Sequence, residues 1–321
     1  MIFRLVAAAM ALMMTFPAEA QEFPVTIPHA FGETTIPAAP QRIVTWGWAA
    51  QDAVIALGEV PVGIPFFDYG GDEEGGLRWT RDAVADMGAA FPTILPMSNE
   101  PPVEAIAALK PDLILAVYSG LTAEQYGVLS QIAPVVAYPD APWSTSWQQT
   151  IAITGAALGK PEAAAGLVGD LEQFITDETA KYPEVAGASF AGIAEYNGEV
   201  AVYAGLDSRM KFLEDAGLVL APSVTELAQG ENFYFSLSYE LFDQLKSDLL
   251  ISYFETPEAD AAFFSNPVVA AQPQVAAGAV AHVVGAELIN AISPPSALSL
   301  RWGYPKYIAL IAEAARAAAA E

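Results

Sequence analysis

The sequence contains the segment Glu104-Ala-Ile-Ala-Ala-Leu-Lys-Pro-Asp-Leu-Ile-Leu115 and, 136 positions later, the related segment Glu240-Leu-Phe-Asp-Gln-Leu-Lys-Ser-Asp-Leu-Leu-Ile251. In each copy a glutamate opens a short amphipathic helix, a Lys-x-Asp turn ends it, and an apolar run of strand length follows. A helix that leads twice into a buried strand indicates two similar α/β lobes, and two lobes enclose a cleft. The duplication therefore predicts an α/β protein with its ligand site between lobes.

Glu104 and Glu240 occupy matching positions in these two segments. A carboxylate in the first turn of a helix is favoured by the helix dipole and can be reached by solvent. Each glutamate alone is an ordinary first-turn residue. Their match on two lobes favours a shared role at the surface.

The first twenty residues have the features of a secretory signal peptide. Arg4 supplies the positive charge, Leu5 to Phe16 are an apolar stretch too short to span a bilayer, and Ala18-Glu-Ala20 is a cleavage site. The chain has no cysteine, and so neither a disulfide nor a cysteine for lipid attachment. We therefore expect a freely diffusing periplasmic monomer without a direct membrane anchor.

The formal net charge of −25 makes nucleic acid and anionic membrane surfaces poor partners. A strongly acidic surface suits docking on a basic partner, although acidic residues also serve solubility alone. About 300 mature residues suffice for two domains of ordinary size.

The order of strand and helix signals divides the mature chain into two lobes and a helical connection. Strand, helix, glycine and strand follow one another from Arg42 to Pro65, and a helical pattern runs over residues 146–182 with one break at Gly159-Lys-Pro161. We expect an N-terminal α/β lobe over 21–145, a helical connection over 146–183, and a C-terminal α/β lobe with a closing helix over 184–321. The predicted fold is two Rossmann-like lobes with parallel-rich sheets, joined by one long backbone helix.

Several motifs occur in a characteristic order along the whole mature chain. They are Thr35-Ile-Pro-Ala-Ala-Pro-Gln-Arg-Ile-Val-Thr45, Leu57-Gly58, Val62-Gly63, the Glu104 segment, Ile132-Ala-Pro-Val135 and Ala297-Leu-Ser-Leu300. This series resembles the periplasmic substrate-binding proteins of iron-siderophore ABC importers, which include ferric-hydroxamate and cobalamin binders. The resemblance implies two lobes that move little on binding, and a glutamate on each lobe that pairs with arginines of the inner-membrane permease. By position in the motif, those glutamates correspond to Glu104 and Glu240.

Candidate ligand-binding residues follow from the expected positions of the strand ends. Ligands of open parallel sheets bind outside the carboxyl ends of the strands. The iron of a ferric siderophore is already wrapped by the chelator's own oxygens, so aromatic walls suit it better than metal ligands. The aromatic and hydroxyl candidates are Trp46, Trp48, Trp79, Tyr118, Ser119, Trp143 with the neighbouring Trp147, Tyr196 and Tyr253.

Two arginines are candidate donors to the ligand. Arg78 stands beside Trp79 in a glycine-rich loop, and Arg209 ends the turn Leu206-Asp-Ser-Arg209. Either side chain can donate charge-assisted hydrogen bonds to hydroxamate or carboxylate oxygens. Arg301, on the closing helix, is interpreted as a surface residue.

Other chemistries find little support in the sequence. His29 and His282 are too few for a zinc or manganese cage, and His282, within an apolar strand, is expected to be a core residue. There is no phosphate-binding glycine loop, no Gly-x-Ser-x-Gly elbow and no cysteine nucleophile.

We therefore expect no catalytic residues, no resident metal and no cofactor. The predicted function is to capture a ferric siderophore, with a hydroxamate or mixed type favoured, and to deliver it to an ABC permease. Two alternatives stay open: a haem or cobalamin binder of the same class, and an exported hydrolase that uses a carboxylate pair.

Overall fold

The computed structural model of the protein describes residues 22–230 and 232–320, so the predicted signal peptide lies outside the described residues. The described chain begins with an antiparallel hairpin of β1 (Val25–His29) and β2 (Gly32–Ile36). Throughout the two described ranges, every helix is too short or too polar to cross a bilayer.

The first lobe is built on a parallel sheet. The described strands lie in the order β5-β4-β3-β6-β7, and their bounds are β3 (Ile43–Thr45), β4 (Gly63–Ile64), β5 (Thr93–Ile94), β6 (Leu113–Ala116) and β7 (Val135–Ala137). Strands β3, β6 and β7 are buried along their whole length, as expected for a parallel sheet with helices on both faces. The helices of this lobe are α1 (Ala50–Ala56), α2 (Arg78–Asp86), α3 (Val103–Ala108) and α4 (Ala123–Leu129).

The connection between the lobes contains two helices, α5 (Trp147–Ala157) and α6 (Pro161–Thr179), followed by a 3-10 turn at Pro183–Val185. The long backbone helix is α6, with 19 residues. Helix α5 packs closely on it, since a Cβ added to Gly155 would lie 2.2 Å from the Cβ of Ala164. The predicted break at Gly159 thus separates two packed helices.

The second lobe has a mixed sheet. In the described residues the strands run β11-β9-β8-β12-β13, with β10 beside the start of β8; they are β8 (Ser189–Tyr196), β9 (Glu199–Tyr203), β10 (Val219–Leu220), β11 (Tyr234–Leu237), β12 (Leu249–Phe254) and β13 (Val280–Val284). Strands β8, β12 and β13 are parallel, whereas β9 pairs antiparallel with both β8 and β11. The sequence predicted a repeat of the first lobe; the hairpin at Asn197-Gly198, with both residues at positive φ, departs from it.

Helices cover the second sheet and close the chain. They are α7 (Ser208–Asp215), α8 (Pro222–Leu227), α9 (Pro257–Phe264), α10 (Pro267–Ala270), α11 (Pro273–Ala276), α12 (Ala286–Ala291) and α13 (Ser299–Ala318). The largest buried apolar cluster includes residues of both sheets and of α5, α6 and α13. One continuous core therefore runs from lobe to lobe.

The Lys-x-Asp turn of the duplicated segment has the same structural role in both lobes. The Asp112 carboxylate accepts hydrogen bonds from the N–H groups of Gln41 and Arg42, both at 2.8 Å, just before β3. The Asp248 carboxylate accepts from the N–H and the hydroxyl of Ser189, both at 2.7 Å, at the start of β8. Each aspartate thereby fixes the start of the strand that neighbours its own.

The two helices of the duplicated segment differ. Glu104 lies in the first turn of α3, an α-helix, whereas Glu240 lies in a 3-10 helix over Tyr239–Gln244. The sequence predicted a short helix in each copy, and the two copies differ in the type of helix.

A buried carboxylate joins the two lobes. Asp52 on α1 accepts hydrogen bonds from the Trp79 indole N–H and the Thr80 hydroxyl, both at 2.7 Å, and from the Ser296 hydroxyl ahead of α13. Burial raises the pKa of Asp52, while these donors act in the opposite direction. The contact ties α1 and α2 of the first lobe to the closing helix of the second.

Candidate functional site

Three cavities lie along the cleft between the lobes. The central cavity, of about 280 Å³, is bounded by Tyr118 and Trp143 of the first lobe and by α7 of the second. The first-lobe cavity, of about 260 Å³, shares Trp143 with it and is lined by Trp46 and Trp48. The second-lobe cavity, of about 290 Å³, is adjacent through α7 and contains Arg209. Together they provide room for a ligand of several hundred Å³.

A glycine turn places the first-lobe aromatics. Gly47 separates Trp46 from Trp48 at the carboxyl end of β3 and has a φ of 91°. A Cβ at this position would lie 2.3 Å from the carbonyl oxygen of Tyr118. The glycine therefore lets this turn approach β6 closely, and the Trp48 N–H donates to that carbonyl at 2.9 Å.

Trp143 reaches the cleft over another glycine. A Cβ on Gly120 would lie 2.6 Å from the Trp143 indole nitrogen, so only glycine leaves space for the ring. The ring meets Tyr118 edge to face, with centroids 5.7 Å apart, and 43% of Trp143 is exposed. Such an exposed, edge-packed indole offers an aromatic wall to a ligand.

Arg209 is buried at the floor of the second-lobe cavity. Its guanidinium carbon lies 3.7 Å from the ring centroid of Tyr203 and 4.9 Å from that of Tyr253. Its Nε and Nη2 donate to the Asp207 carboxylate at 2.8 and 2.7 Å. Burial lowers the pKa of Arg209, but the bonds and charge of Asp207 outweigh this and hold the pKa well above its usual value. Among the described residues, no hydrogen-bond acceptor meets Nη1 or the second N–H group of Nη2.

Neutral phenols surround this ion pair. The Tyr196 hydroxyl lies 2.9 Å from the Tyr203 hydroxyl, and the Tyr253 hydroxyl lies 2.7 Å from that of Tyr307. Tyr69 reaches the same cavity from the first lobe, and burial raises its pKa to about 12. Burial likewise raises the pKa of Tyr118 to about 12. The cleft therefore presents protonated phenols at neutral pH.

Three of the predicted site residues lie elsewhere. Trp79 is only 4% exposed and packs against Trp302, with its indole N–H bound to Asp52. Ser119 is fully buried, and its hydroxyl donates to the Ala116 carbonyl at 2.8 Å. Arg78 begins α2 instead of standing in the glycine-rich loop, and it lines a separate outer cavity of about 550 Å³.

Both histidines are satisfied within the protein. His29 is buried; its Nδ1 accepts from the Phe31 N–H at 3.2 Å and its Nε2 lies 2.9 Å from the Thr34 hydroxyl. His282, expected in the core, is 42% exposed at its side chain and pairs with Asp260 at 2.8 Å. That expectation was wrong because alternate side chains of β13 face outwards. No cluster of three or more metal-ligating side chains occurs in residues 22–230 and 232–320.

Several lining residues were not anticipated from the sequence. Phe66 and Tyr69 lie in the segment after β4, Tyr203 ends β9, and Lys211 lies on α7. The strand-end rule that indicated Trp46 applies equally to Phe66, which follows the predicted strand ending at Pro65, whereas Tyr203 ends an antiparallel strand that this rule does not cover. Arg301, as expected, is exposed on α13, and its guanidinium lies over the Phe174 ring.

The duplicated glutamates lie outside the cavities. Both Glu104 and Glu240 are exposed. A hydrogen bond from its own backbone N–H and another from the Ser238 hydroxyl lower the pKa of Glu240. Its side chain is thus an anion available to solvent.

A comparison with sequence families decides the protein's class. The sequence model described as "Periplasmic binding protein" matches residues 43–284, which is most of the chain. The chain belongs to the periplasmic binding protein family. This assignment agrees with the two α/β lobes and the cleft between them.

Individual members of the periplasmic binding protein family resemble the chain over most of its length. It is 28% identical to the "probable siderophore-binding lipoprotein YfiY" of Bacillus subtilis over 73% of this chain and 70% of that protein. It is 27% identical to the "ferric-anguibactin-binding protein FatB" of Vibrio anguillarum, over 77% and 76%. The solved structure of PiaA from Streptococcus pneumoniae in complex with ferrichrome is 30% identical, with a TM-score of 0.82, over 91% of this chain and 99% of that chain.

Proposed function

We propose that the cleft binds a ferric siderophore of hydroxamate or mixed type. The observation that carries this proposal is the set of aromatic walls and neutral phenols around the buried Arg209 guanidinium. A chelate that supplies its own iron ligands needs such walls and a few donors. The names of the relatives, which include siderophore-binding and ferric-anguibactin-binding proteins, support the same class of ligand.

The proposed ligand contacts come from both lobes. Trp46, Trp48, Tyr118 and Trp143 would contact the apolar faces of the chelate, and Tyr196 and Tyr253 the opposite side. Arg209 would donate through the two N–H groups of Nη1 and the second N–H group of Nη2, because Asp207 accepts only the Nε N–H and one Nη2 N–H. Binding alone is required; the chemistry of the ligand is unchanged.

We keep residues 21–145 and 184–321 as the proposed limits of the two lobes.

We further propose that the protein works in the periplasm, after export by its signal peptide, as a monomer without a membrane anchor. It would pass the siderophore to an inner-membrane ABC permease through Glu104 and Glu240, one exposed carboxylate on each lobe. Exposed ion pairs mainly affect orientation and association rate. Such pairs would align the cleft with the channel.

Tryptophan fluorescence tests the ligand assignment. Four of the six tryptophans line the central and first-lobe cavities, so ferrichrome should quench the emission saturably. Trp143→Phe should reduce the amount of emission that is quenched, whereas Trp302→Phe, which alters a ring packed on Trp79, should leave that amount unchanged. Haem should not compete. Saturable binding of haem with no response to any ferric siderophore would overturn the proposal.

A further inference from the structure

Charged side chains along the cleft are mostly acidic. Two cations line the three cavities, Arg209 and Lys211. Five carboxylates line the cavities or bond to a lining residue: Asp68, Glu195, Asp207, Asp215 and Glu255. A ligand that enters the cleft therefore meets more carboxylates than cations. This balance disfavours anionic ligands before any individual contact is considered.

Asp207 is held in place by the fold. It is the N-cap of α7, and its carboxylate accepts the Arg209 backbone N–H at 2.9 Å as well as two guanidinium bonds. Asp207 and Arg209 are 8% and 9% exposed. Two bonds to a planar guanidinium fix its orientation, and low exposure limits screening of the pair by salt. The guanidinium charge is thus neutralised before a ligand arrives.

Lys211, the second cation, is exposed and lies one helical turn from both Asp207 and Asp215. Side chains four residues apart lie on the same face of a helix. Asp215 also lines the central cavity together with Lys211. Solvent and salt screen the charge of the exposed Lys211, whereas the charge of the buried Arg209 is paired with Asp207.

Building on the proposed function, we propose that Asp207 sets the charge selectivity of the cleft. By neutralising Arg209, Asp207 restricts the site to ferric chelates whose net charge is zero or positive and rejects anionic chelates. An anionic chelate would have to displace the Asp207 carboxylate or be buried beside it, and an unpaired buried charge is strongly unfavourable. A neutral chelate can still accept a hydrogen bond from Nη1.

Three ferric chelates of different charge test this selectivity. Ferrioxamine B carries a pendant ammonium group, ferrichrome is neutral, and ferric dicitrate is an anion. We expect the wild-type protein to bind ferrioxamine B or ferrichrome at least about tenfold more tightly than ferric dicitrate. A tenfold difference in affinity corresponds to the free energy of about one charge-assisted hydrogen bond. In Asp207→Asn this ratio should fall by about tenfold, because the Arg209 charge is exposed to the ligand. Asparagine is an equally good N-cap, so α7 keeps its start.

The matched control is Glu214→Gln, which removes one exposed negative charge from the same helix outside the three cavities. Its selectivity ratio should equal that of the wild type. Equal changes in Asp207→Asn and Glu214→Gln, or wild-type preference for ferric dicitrate, would overturn the inference. Failure of all three chelates to bind would contradict the proposed function itself, and this inference with it.

Salt dependence of the wild-type protein gives a second test that needs no variant. Between about 50 and about 500 mM salt, screening should weaken binding of ferrioxamine B and leave ferrichrome unchanged. Any residual binding of ferric dicitrate should strengthen, since the repulsion from the cleft is screened. Weaker binding of ferric dicitrate at high salt would show attraction to a free cation and would overturn the inference.

Discussion

Neighbouring residues fix the conformation of Arg209 in the cleft before a ligand binds. Arg209 is held between two phenol rings and paired with Asp207, so it loses little conformational entropy when a ligand binds. Both N–H groups of Nη1 and the second N–H group of Nη2 remain for the ligand. The guanidinium therefore serves as a rigid wall that has one donor edge.

Removing this side chain should weaken ferrichrome binding. We expect Arg209→Ala to reduce the affinity by about 1 to 3 kcal/mol, because a charge-assisted bond is lost and Asp207 is left without its partner. Isothermal titration calorimetry measures the change. Arg301→Ala, on the exposed face of α13, is the control and should bind normally. An unaltered dissociation constant for Arg209→Ala would remove Arg209 from the site.

Sequence patterns predict which residues follow the carboxyl end of a strand, and so which side chains lie near a cavity. Trp46 and Tyr118 follow the carboxyl ends of β3 and β6, and both line a cavity. Trp79 was misplaced because its burial depends on Asp52 and on Trp302, which is distant in sequence. Local patterns carry no information about such contacts.

At the scale of elements, the duplicated segment was informative because its Lys-x-Asp turn has a local physical role in both lobes. Asp112 binds the two backbone amides just before β3, and Asp248 binds the first backbone amide of β8. The antiparallel β8–β9 hairpin was missed although Asn197-Gly198 is a strong signal for a two-residue turn. The duplicated segment predicts two similar lobes, and this local turn is where the second lobe differs from the first.

The β1–β2 hairpin should give the protein a pH-dependent stability. Burial lowers the pKa of His29 below its ordinary value of 6.5. The unfolded chain therefore binds a proton at a higher pH than the native state does, and the free energy of unfolding should fall as the pH drops below about 6.5. Urea unfolding at a series of pH values measures this slope.

The matching variant is His29→Gln, whose amide can still donate to the Thr34 hydroxyl. At pH 7 its free energy of unfolding should be lower than that of the wild type. Below about pH 6.5 its free energy of unfolding should fall less steeply than that of the wild type. A variant with the full wild-type slope would show that His29 is not the group that titrates.

At the scale of the whole molecule, direct hydrogen bonds join the lobes. Asp52 binds donors from α1's own lobe and from Ser296, and the Asn290 amide donates to the Tyr69 carbonyl at 2.6 Å. Together with the shared core, these contacts favour a cleft of fixed width. Small movement on binding, which the family resemblance implies, is consistent with this arrangement.

Breaking the Asp52 contact should destabilise the protein. In Asp52→Asn the new NH₂ group would point at side chains that are themselves donors, so at least one hydrogen bond is lost. We expect a decrease of about 1 to 3 kcal/mol in the free energy of unfolding. The exposed Asp86→Asn on α2 is the control and should change stability little. Equal stabilities of the two variants in urea would contradict a structural role for Asp52.

The exposed glutamates of the two lobes lead to a prediction about transport. Glu104→Arg combined with Glu240→Arg should abolish siderophore uptake with the cognate permease in proteoliposomes, since two attractions become repulsions. Each single reversal should have a smaller effect. Ferrichrome affinity and melting temperature should not change, because neither residue lines a cavity. Normal uptake by the double variant, or loss of ligand affinity, would contradict a docking role.

A melting-temperature titration shows whether the native cleft binds an intact ferric siderophore. A ligand that binds only the native state stabilises it by about 2.7 kcal/mol at a hundredfold excess over the dissociation constant. We predict that the melting temperature rises with ferrichrome concentration, that free ferric or zinc ions do not raise it, and that ferrichrome is recovered unchanged. The protein would not be a siderophore-binding protein if ferric siderophores left its melting temperature unchanged while a bare metal ion raised it. Consumption of the siderophore would equally contradict binding of the intact chelate.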